Sequence, residues 1–341
     1  MPPDPIVEVV DMSVHFKNRD IDVRVVEGVS FSLAAGEVLC LLGESGSGKT
    51  VTMRALLRLL PPHARIGGRI RLAGHDIIAM TERQLEAVRG PVAAMIFQEP
   101  MTALDPVFTI GVQIAETIVA HDGVSWRDAR KRTLDLLELV QIPSAGRRID
   151  AYPHELSGGL RQRAMIALAL SCRPALLLAD EPTTALDATV QIQILLLLRS
   201  LQRELGMATI FVTHDIGVAC EVADRIAVMY AGRFVETGPV AEVIERPAHP
   251  YTAGLLRSTV HADSRGGRLA SILGYPPDLA DMPPGCGFGP RCQYHQADCD
   301  AAVPVLRPVA SGRMARCPRP LTDGTDVTDG TDGEWNKRYG Q

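Results

Sequence analysis

Apolar and polar positions alternate through the first 36 residues, and the runs 6–10, 23–26 and 29–33 predict antiparallel strands that end at the turn Ala35-Gly36. Residues 37–42 are apolar almost throughout and predict a buried strand, with glycines following at once. Residues 50–60 take up helical spacing, with Pro61-Pro62 as the stop. The local order is strand, glycine loop, helix. From 98 to about 155 the apolar spacing is helical (Ile114 and Ile118; Leu134, Leu137 and Val140), which predicts a helical insert within an α/β domain. The short apolar runs 175–179 and 209–213, bounded by Pro, Asp and His, are expected of parallel strands covered on both faces, and residues 188–205 supply the crossover helix between them. After about residue 245 the composition turns to Pro, Gly and Cys, which marks a boundary. Residues 322–333 repeat Thr-Asp-Gly with almost nothing to bury and read as a disordered tail.

Composition narrows the classes. The 341 residues are 46% hydrophobic, enough for two or three folded units. Against 40 Asp+Glu stand 35 Lys+Arg, and a net charge of -5 argues against a chain held to nucleic acid by bulk electrostatics, so no direct nucleic-acid partner is expected. No apolar run reaches the ~18 residues that span a bilayer, and the leucine cluster 195–198 is flanked by Gln193 and Arg199. The first ten residues carry Asp4 and Glu8 and no basic segment, unlike a secretory signal, so a cytoplasmic location is expected. Of seven cysteines, Cys40, Cys172 and Cys220 lie in apolar stretches and read as core. The other four sit together near the C-terminus.

Gly43, Glu44, Ser45, Gly46, Ser47, Gly48, Lys49 and Thr50 fit G-x-x-x-x-G-K-[ST] between a strand and a helix. Glycines let backbone N–H groups close around phosphates, helped by the positive end of the following helix. Lys49 would reach the β- and γ-phosphates and the Thr50 hydroxyl would bind Mg²⁺. The plainer reading is a glycine-rich turn without a ligand, and the flanking strand and helix argue against it. A second apolar strand, 176–179, ends in Asp180 and Glu181: the first carboxylate can hold Mg²⁺ through water, and the second can orient the attacking water. Alone, such a pair is more often a solvated turn than a site.

Between these motifs lies Leu156-Ser157-Gly158-Gly159-Leu160-Arg161-Gln162-Arg163, and here the chain resembles the ATP-binding subunit of an ABC transporter, whose signature is Leu-Ser-Gly-Gly-Gln before a basic stretch. Leu160 departs from that Gln, as is common in the peptide-importer branch. The resemblance implies an α/β P-loop ATPase core over residues 1–245, with an antiparallel β subdomain and a helical subdomain at about 98–160. A small Cys-rich C-terminal region (246–320) and a tail (321–341) complete the chain. It implies that Gln98 touches Mg²⁺, that Ala185-Leu186-Asp187 crosses a dimer interface, and that His214 lies near the γ-phosphate. It further implies that Ser157, Gly158 and Gly159 cover nucleotide held by an opposing subunit. The aromatic that stacks on adenine would be Phe16, with Val25 or Val26 aligning there instead. Arg246-Pro247-Ala248-His249-Pro250-Tyr251-Thr252 resembles the element after the ATPase core in oligopeptide and dipeptide importers, a branch that nickel and some sugar importers share.

The implied protein is an ATP-hydrolysing motor on the cytoplasmic face of the inner membrane, importing di- or oligopeptides with ATP and Mg²⁺. Its partners would be two transmembrane permease subunits, a second ATPase in a heterodimer and an extracellular substrate-binding protein. A soluble ABC ATPase acting on nucleic acid or ribosomes is the rival; such proteins usually carry two cassettes, coiled-coil inserts or basic arms, none of which the chain has. A metal-binding regulator would leave the nucleotide motifs unexplained.

Cys286, Cys292, Cys299 and Cys317 are separated by 5, 6 and 17 residues among prolines and glycines. Such a segment has little apolar matter for a core, so a metal or cluster tying its loops together is physically attractive, and the segment is expected to fold separately from the phosphate loop. Paired C-x-x-C knuckles are absent, which weakens structural zinc (Zn²⁺), and uneven spacing ending in Cys317-Pro318 suits a [4Fe-4S] cluster better. Zinc, free thiols and a disulfide remain the alternatives.

Overall fold

The computed structural model describes residues 4–17, 22–184, 186–260 and 272–321. Ala185 and the Thr-Asp-Gly tail lie outside the described residues.

The chain builds two sheets. The smaller takes β1 (Val7–Lys17), β2 (Asp22–Leu33), β4 (Ala64–Leu72) and β5 (His75–Asp76) in the order β2-β1-β4-β5, all antiparallel. The two apolar runs expected as separate strands between 23 and 33 are one strand, its register against β1 shifting between Val9 and Met12. The larger sheet holds β3 (Val38–Leu42), β6 (Ala93–Ile96), β7 (Leu176–Asp180), β8 (Ala208–Thr213), β9 (Arg225–Tyr230), β10 (Arg233–Pro239), β11 (Arg307–Ala310) and β12 (Arg313–Ala315). Their order is β11-β12-β10-β9-β3-β8-β7-β6. The run from β9 to β6 is parallel, with Leu41 opposite Val212 on one side and Ala227 on the other. Every residue of β3, β7 and β8 is buried, as continuous apolar runs require of strands covered on both faces.

One face carries the helix Lys49–Leu56 and the small sheet; Met53 and Leu56 pack with Val7, Val14 and Ile70. That helix ends before the predicted stop at Pro61-Pro62, because Arg58 takes a left-handed conformation (φ 50°) and breaks the ladder first. The other face carries a helical layer: Ile110–Asp122, Trp126–Leu139, Gly158–Leu170 and Ala188–Leu205, whose Ile114, Leu137, Ile166 and Leu197 form one core. Caps bound them. Thr109 accepts from Val112 N and Gly123 (φ 64°) ends the first helix, and Asp187 accepts from Val190 N with Gly206 (φ 64°) at the far end.

The region after residue 245 is joined to this frame. Its hairpin β11-β12 extends the large sheet through Glu236↔Ala315, and Tyr251, Cys286, Phe288 and Cys299 share a core with Cys40, Val228 and Tyr230. The short exposed strand β11 has no alternation to announce it. Cys40 is core as expected, while Cys172 and Cys220 are half-buried. Among the described residues no helix is long and apolar enough to cross a membrane.

Candidate functional site

The phosphate loop leaves the carboxyl end of β3, and the adjoining parallel strands deliver their own ends beside it: β6 gives Gln98, β7 gives Asp180 and Glu181, and β8 gives His214. Open α/β sheets bind ligands at that edge. Gly43 to Thr50 line a cavity of about 780 Å³ together with Gln98, Glu181 and His214, a size that accommodates a nucleotide. Two glycines are required by shape. A Cβ at Gly43 would lie 2.2 Å from Met229 O, and Gly48, which precedes the helix, has φ 106°.

At this site Lys49, Asp180 and Glu181 are hydrogen-bonded to uncharged groups. Lys49 Nζ donates to Gly43 O (2.7 Å) and Glu44 O (2.8 Å), with Ser47 Oγ at 3.5 Å. Its burial pulls the ammonium below its usual pKa, against the opposing pull of Glu181 and Asp180. Thr50 Oγ1 donates to Asp180 Oδ1 at 2.9 Å. Asp180 is 1% exposed, and burial raises its carboxyl above the ordinary range, opposed by that hydroxyl. A buried carboxylate beside a hydroxyl is a donor set suited to Mg²⁺. Glu181 adopts φ 44°, a left-handed conformation held by its N–H donating to Val212 O. Its carboxylate accepts from Thr184 Oγ1 (2.9 Å) and Gln98 Nε2 (3.4 Å), and His214 Nδ1 stands 3.5 Å away.

Ser157, Gly158 and Gly159 do not line this cavity. Ser157 caps the helix Gly158–Leu170 by position, yet its hydroxyl makes no cap hydrogen bond, and Ser157 and Gly158 are exposed. The helix therefore presents a free hydroxyl and N–H groups outward. Leu160 packs at the edge of the helical core, and Asp187 serves as a cap.

Of the adenine-stacking candidates, Val25 lines the cavity. Phe16 leans on His63 (ring centroids 5.6 Å apart) and Val26 is fully buried. Sequence reasoning missed the remaining wall, Leu255, Ser258 and Ile272 from the C-terminal region. It also missed two contacts to the loop: Tyr251 OH accepts from Glu44 N (2.9 Å), and Arg291 forms an ion pair with the Glu44 carboxylate. Tyr251 was singled out only by family resemblance, and nothing in the sequence marks Arg291.

Cys286, Cys292, Cys299 and Cys317 are brought together, lining one cavity of about 20 Å³, roughly the space of one water. Among the described residues no group of three or more His, Cys, Asp or Glu is arranged to hold a metal ion. Burial raises the thiols of Cys286, Cys292 and Cys317 above their usual range, with neighbouring cysteines adding to it, and Cys317 is pushed up to about 12.

Residues 26–184 match the family model described as ABC transporter, and residues 235–299 match that for the oligopeptide/dipeptide transporter C-terminal region. A protein of Brucella abortus (strain 2308) named for peptide import and ATP binding is 48% identical over 315 residues, covering 92% of this chain and 95% of its own. The oligopeptide transport ATP-binding protein OppD of Salmonella typhimurium is 45% identical over 322 residues, covering 94% and 96%. Among solved structures, the ATP-binding cassette MJ0796, a dimer in a post-hydrolysis state bound to ADP and Pi, superposes with a TM-score of 0.61 at 28% identity. It covers 69% of this chain and 98% of its own.

Proposed function

The chain belongs to the ABC transporter family of ATP-binding proteins, and from that membership we propose that it is the ATP-hydrolysing motor subunit of an importer for di- or oligopeptides. The observation that carries this reading is the split placement of the motifs. The phosphate loop, Gln98, Glu181 and His214 share one cavity, while Ser157 faces outward with its hydroxyl unused.

Lys49, released from the carbonyls of Gly43 and Glu44, meets the β- and γ-phosphates. Thr50 and Asp180 are the residues that would hold Mg²⁺, which would supply positive charge against the phosphates. Glu181 accepts a proton of the attacking water and aims it, with Gln98 and Thr184 fixing the carboxylate and His214 beside it. Ser157, Gly158 and Gly159 cover nucleotide held by a second subunit, so ATP favours the closed pair and hydrolysis releases it. Two transmembrane permease subunits, a second ATPase in a heterodimer and an extracellular substrate-binding protein complete the assembly, with this chain peripheral on the cytoplasmic face of the membrane.

Glu181→Gln should keep MgATP binding near the parent value and lose phosphate release by two orders of magnitude or more. The assay uses a complex whose partner site is disabled, and release near the parent rate removes Glu181 from this role.

For the four cysteines the same reading takes a metal group tying the C-terminal loops, an iron–sulfur cluster ahead of zinc on their uneven spacing. What supports it is the donor set, four sulfurs around one cavity. The thiols must lose protons and draw apart as the group binds. Iron and sulfide in anaerobically purified full chain support the cluster. Zinc without iron supports zinc, and neither metal removes the proposal.

A further inference from the structure

Glu44 places a carboxylate in a loop whose other business is to surround a triphosphate. Unattended, it would repel that ligand. In the structure both of its oxygens are taken by one guanidinium: Arg291 Nη1 donates to Oε2 at 2.7 Å and Nη2 to Oε1 at 3.0 Å. This is the forked geometry that arginine makes with a carboxylate. The Arg291 side chain is 5% exposed, and its remaining donors are held by Leu273 O (3.1 Å), Ile272 O (3.4 Å) and Tyr230 OH (3.3 Å). The guanidinium also stands 5.8 Å from the centre of the Tyr230 ring. The backbone of Glu44 is fixed from both sides: its N–H donates to Tyr251 OH and its carbonyl accepts from Lys49 Nζ. The loop residue nearest the C-terminal region is thus held at side chain, amide and carbonyl, twice by that region and once by the lysine that reads phosphate.

Resting on the nucleotide reading above, we propose that Arg291 is a positioning residue for ATP. It neutralises the Glu44 carboxylate and turns it towards the C-terminal region, so that the phosphate loop offers N–H groups rather than negative charge to the triphosphate. ATP affinity then depends on a side chain that lies between two of the clustered cysteines.

The test is a double-substitution cycle on the full chain, read by MgATP titration and, in the assembled complex, by steady-state KM and kcat. Arg291→Gln should weaken MgATP binding about tenfold, the size expected of one uncompensated charge several ångströms from a multiply charged ligand. KM should rise with kcat little changed, since Glu44 does not touch the water held by Glu181. Glu44→Gln alone sets the reference affinity, and Glu44→Gln combined with Arg291→Gln should bind as that reference does, because the charge that needed neutralising is gone. A double variant as weak as Arg291→Gln overturns the proposal, since Arg291 would then act only through the fold. So does an Arg291→Gln chain that binds like the parent. If Arg291→Gln loses the parent thermal transition, Arg291→Lys carries the same cycle: it keeps the charge, loses the fork, and its smaller defect must also vanish with Glu44→Gln. A parent chain that binds no MgATP would instead sink the nucleotide reading, a separate failure.

Discussion

At the phosphate-loop site Lys49 is bonded to two carbonyls, Asp180 to a hydroxyl and Glu181 to a hydroxyl and an amide. Where the C-terminal region meets β10 the comparable groups close on one another. Glu236, fully buried, accepts from Ala248 N (2.8 Å), His249 N (2.9 Å) and Arg313 Nη2 (3.0 Å), and His249 Nδ1 accepts from Tyr251 N. The aromatic rings of Tyr230, Tyr251 and Phe288 pack on one another, and Phe288 lies against the His249 ring. Charges in the first region keep an unmet demand that a charged ligand satisfies, whereas charges in the second hold strands and loops in place. The difference teaches where a substitution will register: as lost binding in one, as lost folding in the other.

The sharpest way to break that comparison is Lys49→Ala. It should weaken MgATP binding about a hundredfold or more, because the fixed cation at the β- and γ-phosphates is gone. Unfolding should stay near the parent, because the amine's partners there are carbonyls; a large loss of thermal stability would make Lys49 a structural group. Glu236→Ala should do the reverse. It strands the Arg313 guanidinium and two backbone N–H groups in the interior, and the region should lose about 3–5 kcal/mol, seen as a lower denaturant midpoint and protease cleavage beyond residue 245. An unchanged midpoint would show that water reaches these groups.

The smallest effect is one of pH. Burial pulls the His249 imidazole down to about 3. Between that value and the ordinary ~6.5 the unfolded chain binds the proton and the folded chain does not, so stability is present above ~6.5 and is lost as pH falls towards 3. At pH 5 the loss should be of order 2 kcal/mol relative to pH 7. His249→Asn, measured by thermal unfolding at both pH values, should flatten that dependence; an equal slope would assign it to other groups.

What the sequence makes legible follows the same division. The phosphate loop is contiguous, its glycines dictated by backbone shape, and the buried parallel strands carry unbroken apolar runs, so both read directly. The helical layer reads through its spacing and caps. The Glu44–Arg291 pair joins residues 247 apart, and a lone arginine among prolines and cysteines has no period and no motif. The strand β11 is short and exposed, and the end of the helix Lys49–Leu56 depends on one backbone angle at Arg58, which propensity does not give. The cysteines were legible as a cluster in space, but their spacing could not tell packed thiols from ligands.

The order in which the ribosome releases this chain gives the Glu44–Arg291 pair a consequence in time. Every nucleotide motif has emerged by His214, yet Tyr251 and Arg291, and the hairpin β11-β12 that extends the large sheet, are still to be made. At about 5–20 residues per second, that leaves an interval of several seconds in which the phosphate loop exists with Glu44 uncompensated. A nascent chain in that interval carries a complete set of motifs and a poor grip on ATP. Competence for the nucleotide then waits on residues made well after the last of its motifs.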